Sequence, residues 1–295
     1  MPDDERRLSR DIRTVICATD FSLYSQNAEF YAARLAVFWR AKLLVVHAFT
    51  LSQAAMEVEI DHLLISRQRS DLSFLLARKA TLLSSSTLEA IPMLLEGAPK
   101  TVILRLAEQQ GPSIVVLGTH GGGWIQRGLI GSVAEQVLCA TPAPSLTVGP
   151  QVPALSSMAN PFRRILLATD FAPQSAIAAS YAMAFAEVFH ARMEILQVVA
   201  QNAMKLPEKL VATRKKFYEA MGPGASSMTE KFCEPRIHVE VGNPRDRILA
   251  YICDQSVDLL VLGVHQALHA GTEPATPGAF PLIEAAKCPV LTVVG

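Results

Sequence analysis

Short apolar runs bounded by Gly, Pro and Ser/Thr clusters alternate along this chain with longer stretches whose apolar residues recur every three or four positions. The first pattern predicts buried strands and the second amphipathic helices. Residues 12–18 read as a strand that ends in Thr19-Asp20-Phe21-Ser22, polar positions suited to stop a strand and cap a helix. Ala28, Tyr31, Ala32, Leu35 and Phe38 then place a helix over 26–39, and 42–49 returns as a second strand. Positions 52–84 lack Gly and Pro and predict a long helical stretch closed by Ser84-Ser85-Ser86-Thr87. A third strand over 88–95 contains Pro92, which assigns it to a sheet edge or a bulge. Gly97-Ala98-Pro99 opens a helix to Gln110, Gly111-Pro112 stops it, a fourth strand covers 114–117, and 145–148 closes the unit as a fifth. Such alternation predicts a parallel sheet with helices on both faces and right-handed crossovers.

The pattern then restarts. Ala18-Thr19-Asp20-Phe21 recurs as Ala168-Thr169-Asp170-Phe171, and Tyr31-Ala32 as Tyr181-Ala182, both shifted by 150. Further on the shift is 145: Gly97-x-Pro99 matches Gly242-x-Pro244, Leu117-Gly118-x-His120 matches Leu262-Gly263-x-His265, and Pro144-x-Leu146-Thr147 matches Pro289-x-Leu291-Thr292. Collinear matches of this kind mark one domain duplicated. The expected division is 1–149, a linker over 150–161, and 162–295.

Composition narrows the function classes. The chain has 295 residues, comfortable for two domains of about 150 each, and half of them are hydrophobic, enough for a core in each. Lys plus Arg equals Asp plus Glu at 27 each, so nucleic acid and anionic membrane are not expected partners. The five cysteines form no CxxC pair, which suggests reduced thiols rather than a disulfide frame. The first fifteen residues are charged and unlike a signal peptide, and no apolar run reaches the length of a membrane span. The expected location is the cytoplasm.

The candidate chemistry lies between the fourth strand and the next helix. Gly118, two residues, Gly121, nine residues, then Gly131-Ser132 combine residues that let backbone N–H groups approach a ligand with a helix start whose dipole favours anions. The Ser132 hydroxyl can cap that helix or bond a phosphate oxygen. A Gly-rich loop that merely turns the chain is the competing reading.

This spacing resembles the nucleotide signature of the universal stress protein family, and the whole chain resembles a tandem member. The resemblance implies two doubly wound open parallel sheets of the adenine nucleotide alpha hydrolase-like class, each with strand order 3-2-1-4-5. It implies ATP, with or without Mg, bound in the first half. On that basis Thr19 and Asp20 lie in the pocket, Ala48 receives the adenine, and Gly118, Thr119, His120, Gly121, Gly131, Ser132 and Val133 form the phosphate loop. The competing reading of Asp20 is an N-cap of the first helix, a role that Ser22 could also take. Trp124 reads as packing and Arg127 as solvated. Pairing of the two domains through their last strands, and a further homodimer, are also implied.

The second half keeps Asp170 and Gly263 but has Gln266 in place of the second Gly, and Thr276-Pro277 where the Gly-Ser pair would fall. Taking Gly278-Ala279 as that pair shortens the following helix by two residues and loses the hydroxyl. This half is expected to bind nucleotide weakly or not at all. His265, His269 and Glu273 would face a metal together on a helix, but Gly271, Pro274 and Pro277 argue against one, and no metal site is assigned. Neither a GxxxxGKS/T, GxSxG nor HExxH motif occurs. The expectation is therefore an ATP-binding regulatory protein, not an enzyme, with slow hydrolysis left open and an interaction scaffold with vestigial sites as the alternative.

Overall fold

The computed structural model describes residues 11–50, 59–119, 130–155, 160–171, 173–199, 235–264 and 279–294, together with positions 208, 211, 212, 215 and 219. The first half runs β1 (Thr14–Ala18), α1 (Leu23–Trp39), β2 (Lys42–Phe49), α2 (Glu59–Leu83), β3 (Ala90–Glu96), α3 (Pro99–Gln109), β4 (Ser113–Gly118), α4 (Ser132–Leu138) and β5 (Ser145–Val148). The second runs β6 (Arg164–Ala168), α5 (Pro173–Phe189), β7 (Arg192–Val199), β8 (Arg236–Val241), α6 (Pro244–Gln255), β9 (Leu259–Val264), α7 (Ala279–Ala285) and β10 (Val290–Val294).

Each half has the order 3-2-1-4-5, and all neighbours within a half are parallel. The inner strands β1, β4, β6 and β9 are buried almost throughout, because helices cover both faces of a parallel sheet. β3, with Pro92, and β8 stand at the outer edges and are partly exposed, where a missing N–H disturbs the ladder least.

The halves do not form two separate sheets. β5 and β10 pair antiparallel, in the register Thr147↔Val290, Leu146↔Leu291 and Ser145↔Thr292, so ten strands make one sheet in the order β3-β2-β1-β4-β5-β10-β9-β6-β7-β8. Two apolar edges, each with an unpaired row of backbone groups, satisfy one another.

On one face α1 and α5 share a single apolar cluster that runs through both halves. Trp39 lies edge-on to Phe185 and Phe189 with centroids 4.6 and 5.2 Å apart, Phe38 meets Phe189 at 4.5 Å, and Phe162 meets Phe189 at 5.0 Å. Burial of each such ring contributes about 1.5–3 kcal/mol before the cost of ordering. The opposite face carries two clusters, one centred on α3 and α4 and one on α6 and α7.

Candidate functional site

The sheet order reverses between β1 and β4, and in open α/β sheets the crevice at their carboxyl ends is where ligands bind. β1 ends in a tight polar turn. The Thr19 N–H donates to the Val46 carbonyl at 2.9 Å, and its buried hydroxyl donates to Glu29 Oε1 at 2.6 Å and accepts the Phe21 N–H at 3.1 Å. This grip holds Phe21 at φ 63°, a conformation uncommon for a bulky residue. The ring of Phe21 lies 4.4 Å from that of His47, whose Nδ1 is 2.8 Å from the Thr19 carbonyl.

Ser22, not Asp20, caps α1: its side chain accepts the Ser25 N–H at 3.2 Å. Asp20 instead accepts the Ser22 N–H through Oδ1 at 3.0 Å and presents an exposed carboxylate at the strand end. The sequence left these roles open because both residues are good caps. Ala48 is half-buried near the carboxyl end of β2, opposite Leu95.

Beneath the turn lies a group that sequence reasoning did not single out. Glu29 is 3% exposed, its Oε2 accepts Lys79 Nζ at 2.8 Å, and Oε1 takes the Thr19 and Ser25 hydroxyls. Burial is the main force pushing the neighbouring Cys17 thiol well up, with the Glu29 charge adding to it. The available signal was a carboxylate on the apolar stripe of α1, beside Ala28 and Ala32; its lysine lies fifty residues away on α2. A buried carboxylate needs such partners, since unpaired it would be strongly disfavoured.

On the far side of the crevice Gly118 ends β4 and Thr119 is fully buried. The Thr119 N–H donates to the Val148 carbonyl at 3.1 Å, and its carbonyl accepts the Gly131 N–H at 2.6 Å. This clasp brings the end of β4 and the start of α4 together, so the Gly131 N–H, expected to face a ligand, is committed within the protein. Gly131 is the N-cap of α4 and no side chain caps the helix, while Ser132 and Val133 are exposed in its first turn. His120 and Gly121, with Trp124 and Arg127, lie outside the described residues.

The second half repeats the first turn: Thr169 N–H to the Leu196 carbonyl at 3.0 Å, Phe171 N–H to Thr169 Oγ1 at 3.0 Å, and Phe171 at φ 61°. Its acid differs, because Asp170 Oδ1 accepts the Ser175 hydroxyl at 3.0 Å. Ala179 stands where the 150-residue shift places Glu29. α7 begins at Ala279 and, like α4, has seven residues. The two-residue difference therefore falls in the turn before Pro289, correcting the expectation of a shortened helix. Positions 265–278, including His265, Gln266, His269, Glu273, Thr276 and Pro277, lie outside the described residues. Among the described residues no cluster of three metal-ligating side chains occurs, and no helix is long and apolar enough to cross a membrane.

The fold defines a tandem doubly wound α/β protein whose sheet order reverses between β1 and β4, and again between β6 and β9. The chain belongs to the universal stress protein family, whose family model matches residues 11–149 and again 161–293. It is 27% identical over 136 residues to a Thermus aquaticus protein, the universal stress protein in QAH/OAS sulfhydrylase 3'region, covering 46% of this chain and 98% of that one. It also resembles the crystal structure of a universal stress protein from Archaeoglobus fulgidus DSM 4304, with a TM-score of 0.71 at 18% identity, over 95% of this chain and 98% of the other.

Proposed function

We propose that this protein is an ATP-binding regulator in which the first half holds the nucleotide and the second does not. The observation that carries the reading is the Thr119–Gly131 clasp, which sets the end of β4 and the uncapped start of α4 beside the crevice. The exposed Asp20 carboxylate, which accepts the Ser22 N–H at the strand end, is the group that a phosphate-bound Mg2+ or the ribose would meet. Half-buried Ala48 offers backbone at the neighbouring strand end for the base. These residues suit the nucleotide: uncapped N–H groups of a helix start favour phosphate oxygens, and one carboxylate suits the accompanying cation.

The reading is of a binder rather than a turnover enzyme. The carboxylate that touches Thr19 is Glu29, which is buried and tied to Lys79, and so is structural. The nucleotide would act by stabilising one arrangement of the crevice.

The test is to denature the purified protein and quantify released adenine nucleotides per chain, then measure the melting temperature with and without Mg-ATP. About one equivalent, or a rise of the kind expected when ligand greatly exceeds its Kd, supports the reading. Two equivalents would overturn the assignment of an idle second half. No nucleotide and no thermal shift would leave the scaffold reading, which the continuous ten-stranded body favours.

A further inference from the structure

The opposite end of the sheet holds a second concavity. A cavity of about 530 Å3 lies where Pro153, Ala154, Leu155, Asn160 and Pro161, between the halves, meet the amino ends of β6, β9 and β10. Its polar wall is made by Tyr31 of α1, Arg163, Asp258 and Lys287, and its apolar wall includes Leu155 and Val257. The volume is in the range that small organic ligands occupy, about 300–1,000 Å3.

The polar groups are unequally engaged. Asp258 Oδ2 accepts the N–H groups of Arg163 and Arg164, each at 2.9 Å, and Asn160 is bonded to the backbone of Phe189 and Phe162. The Arg163 guanidinium and the Lys287 ammonium have no partner among the described residues. Tyr31 is only 5% exposed, yet its hydroxyl also has no partner among them. As a cavity-lining group, that hydroxyl can donate to a ligand oxygen. Burial, then the charges of Cys288 and Asp258, push the Tyr31 pKa up, so it is a donor at neutral pH.

We propose that this cavity binds a small amphipathic organic monoanion, an acid group carried on an aromatic or branched apolar body. Among the lining residues, Arg163 and Lys287 supply two cations against the one carboxylate of Asp258, which is already hydrogen-bonded, and this leaves one net positive charge for the acid group. Tyr31 donates to the same group, and Leu155, Val257, Ile252 and Pro289 receive the apolar body. Tyr31 belongs to the first half and Arg163 and Lys287 to the second, so an occupant touches both. The site is separate from the carboxyl-end crevice, and ATP should not compete for it.

The probe is 8-anilinonaphthalene-1-sulfonate, titrated into the full chain and followed by its fluorescence, with benzoate as a non-fluorescent competitor. Alkylation of the exposed cavity residue Cys253 by iodoacetamide, read by peptide mass spectrometry, reports occupancy locally. The expected result is saturable binding displaced by benzoate and not by ATP, with slower Cys253 alkylation. The exposed-residue double variant Arg163→Gln/Lys287→Gln should lose about tenfold in probe affinity with an unchanged circular dichroism spectrum and urea midpoint. Displacement by ATP, no slowing at Cys253, absent binding, or an unchanged affinity in the double variant would each overturn the proposal. Equal protection of Cys253 by neutral Nile red would overturn its anion preference.

Discussion

Thr147 and Thr292 are related by the internal 145-residue repeat and make the same bond in opposite directions across the seam. Thr147 Oγ1 donates to the Val290 carbonyl at 3.1 Å, and Thr292 Oγ1 donates to the Ser145 carbonyl at 3.2 Å. Both threonines are buried. Replacing each by the isosteric Val should cost about 0.5–1.5 kcal/mol, with similar losses at the two positions. Urea denaturation of the single and double variants measures this, and a neutral double variant would remove the hydroxyls from the account of the seam.

The aromatic contact between helices α1 and α5 predicts a larger effect. Phe189 is fully buried and meets Phe38, Trp39 and Phe162 at once. Phe189→Ala should destabilise by about 3–5 kcal/mol, and calorimetry should then show the halves unfolding with reduced cooperativity. A single unchanged transition would mean that the sheet alone couples them.

Lys79→Met should be more damaging than the double change Glu29→Gln/Lys79→Met. The single change leaves a buried carboxylate without its cation, at a cost of about 3–5 kcal/mol, whereas the pair removed together leaves no charge. Thermal unfolding of the two variants beside the parent chain decides it; equal losses would show that Glu29 is adequately held by Thr19 and Ser25 alone.

Asp20→Ala should weaken the response to Mg-ATP while leaving unliganded stability nearly unchanged, because Ser22 carries the cap. Asp170→Ala should leave the nucleotide response as it is. Isothermal calorimetry on both variants provides the comparison, and equal losses would make the halves functionally alike.

Alkaline stability follows from Cys288, whose thiol is pushed from 9.0 up to about 12, chiefly by burial. Its contribution is fully present below pH 9, where the thiol is neutral in folded and unfolded chains alike. Between pH 9 and about 12 only the unfolded chain ionises there, so stability falls as pH rises, by up to about 1.4 kcal/mol per pH unit. Denaturation midpoints at pH 8.5 and 10 should separate less in Cys288→Ala than in the parent chain. Tyr31 and Tyr251, also raised, contribute from pH 10 upward.

The sheet order was legible because it depends on local pattern and repetition. Alternating apolar runs located β1, β2, β4 and β5, the recurrence of Ala18-Thr19-Asp20-Phe21 located β6, and Pro92 put β3 at an edge. The site was legible only where its residues are local. Thr19 and Asp20 could be named as a turn, but whether Asp20 or Ser22 caps α1 depends on a side-chain rotamer. The Glu29–Lys79 pair joins positions fifty residues apart and leaves no spacing to read, whereas the Thr119–Gly131 clasp ties together the two ends of a loop whose glycine spacing was legible but whose backbone hydrogen bond was not. The cavity at the amino ends of β6, β9 and β10 is likewise assembled from both halves and the segment between them.

The β5–β10 seam also has an evolutionary consequence. Two separate chains joined edge to edge would part on dilution, and each would have to remain compatible with its own copy. Here the covalent connection holds the effective concentration of one half about the other fixed, so every half always meets the same unlike neighbour. One half could then keep its crevice turn around Glu29 while the other replaced that carboxylate with Ala179 and committed Asp170 to Ser175. The seam works as a permanent heterodimer contact, and that permanence lets the two copies specialise.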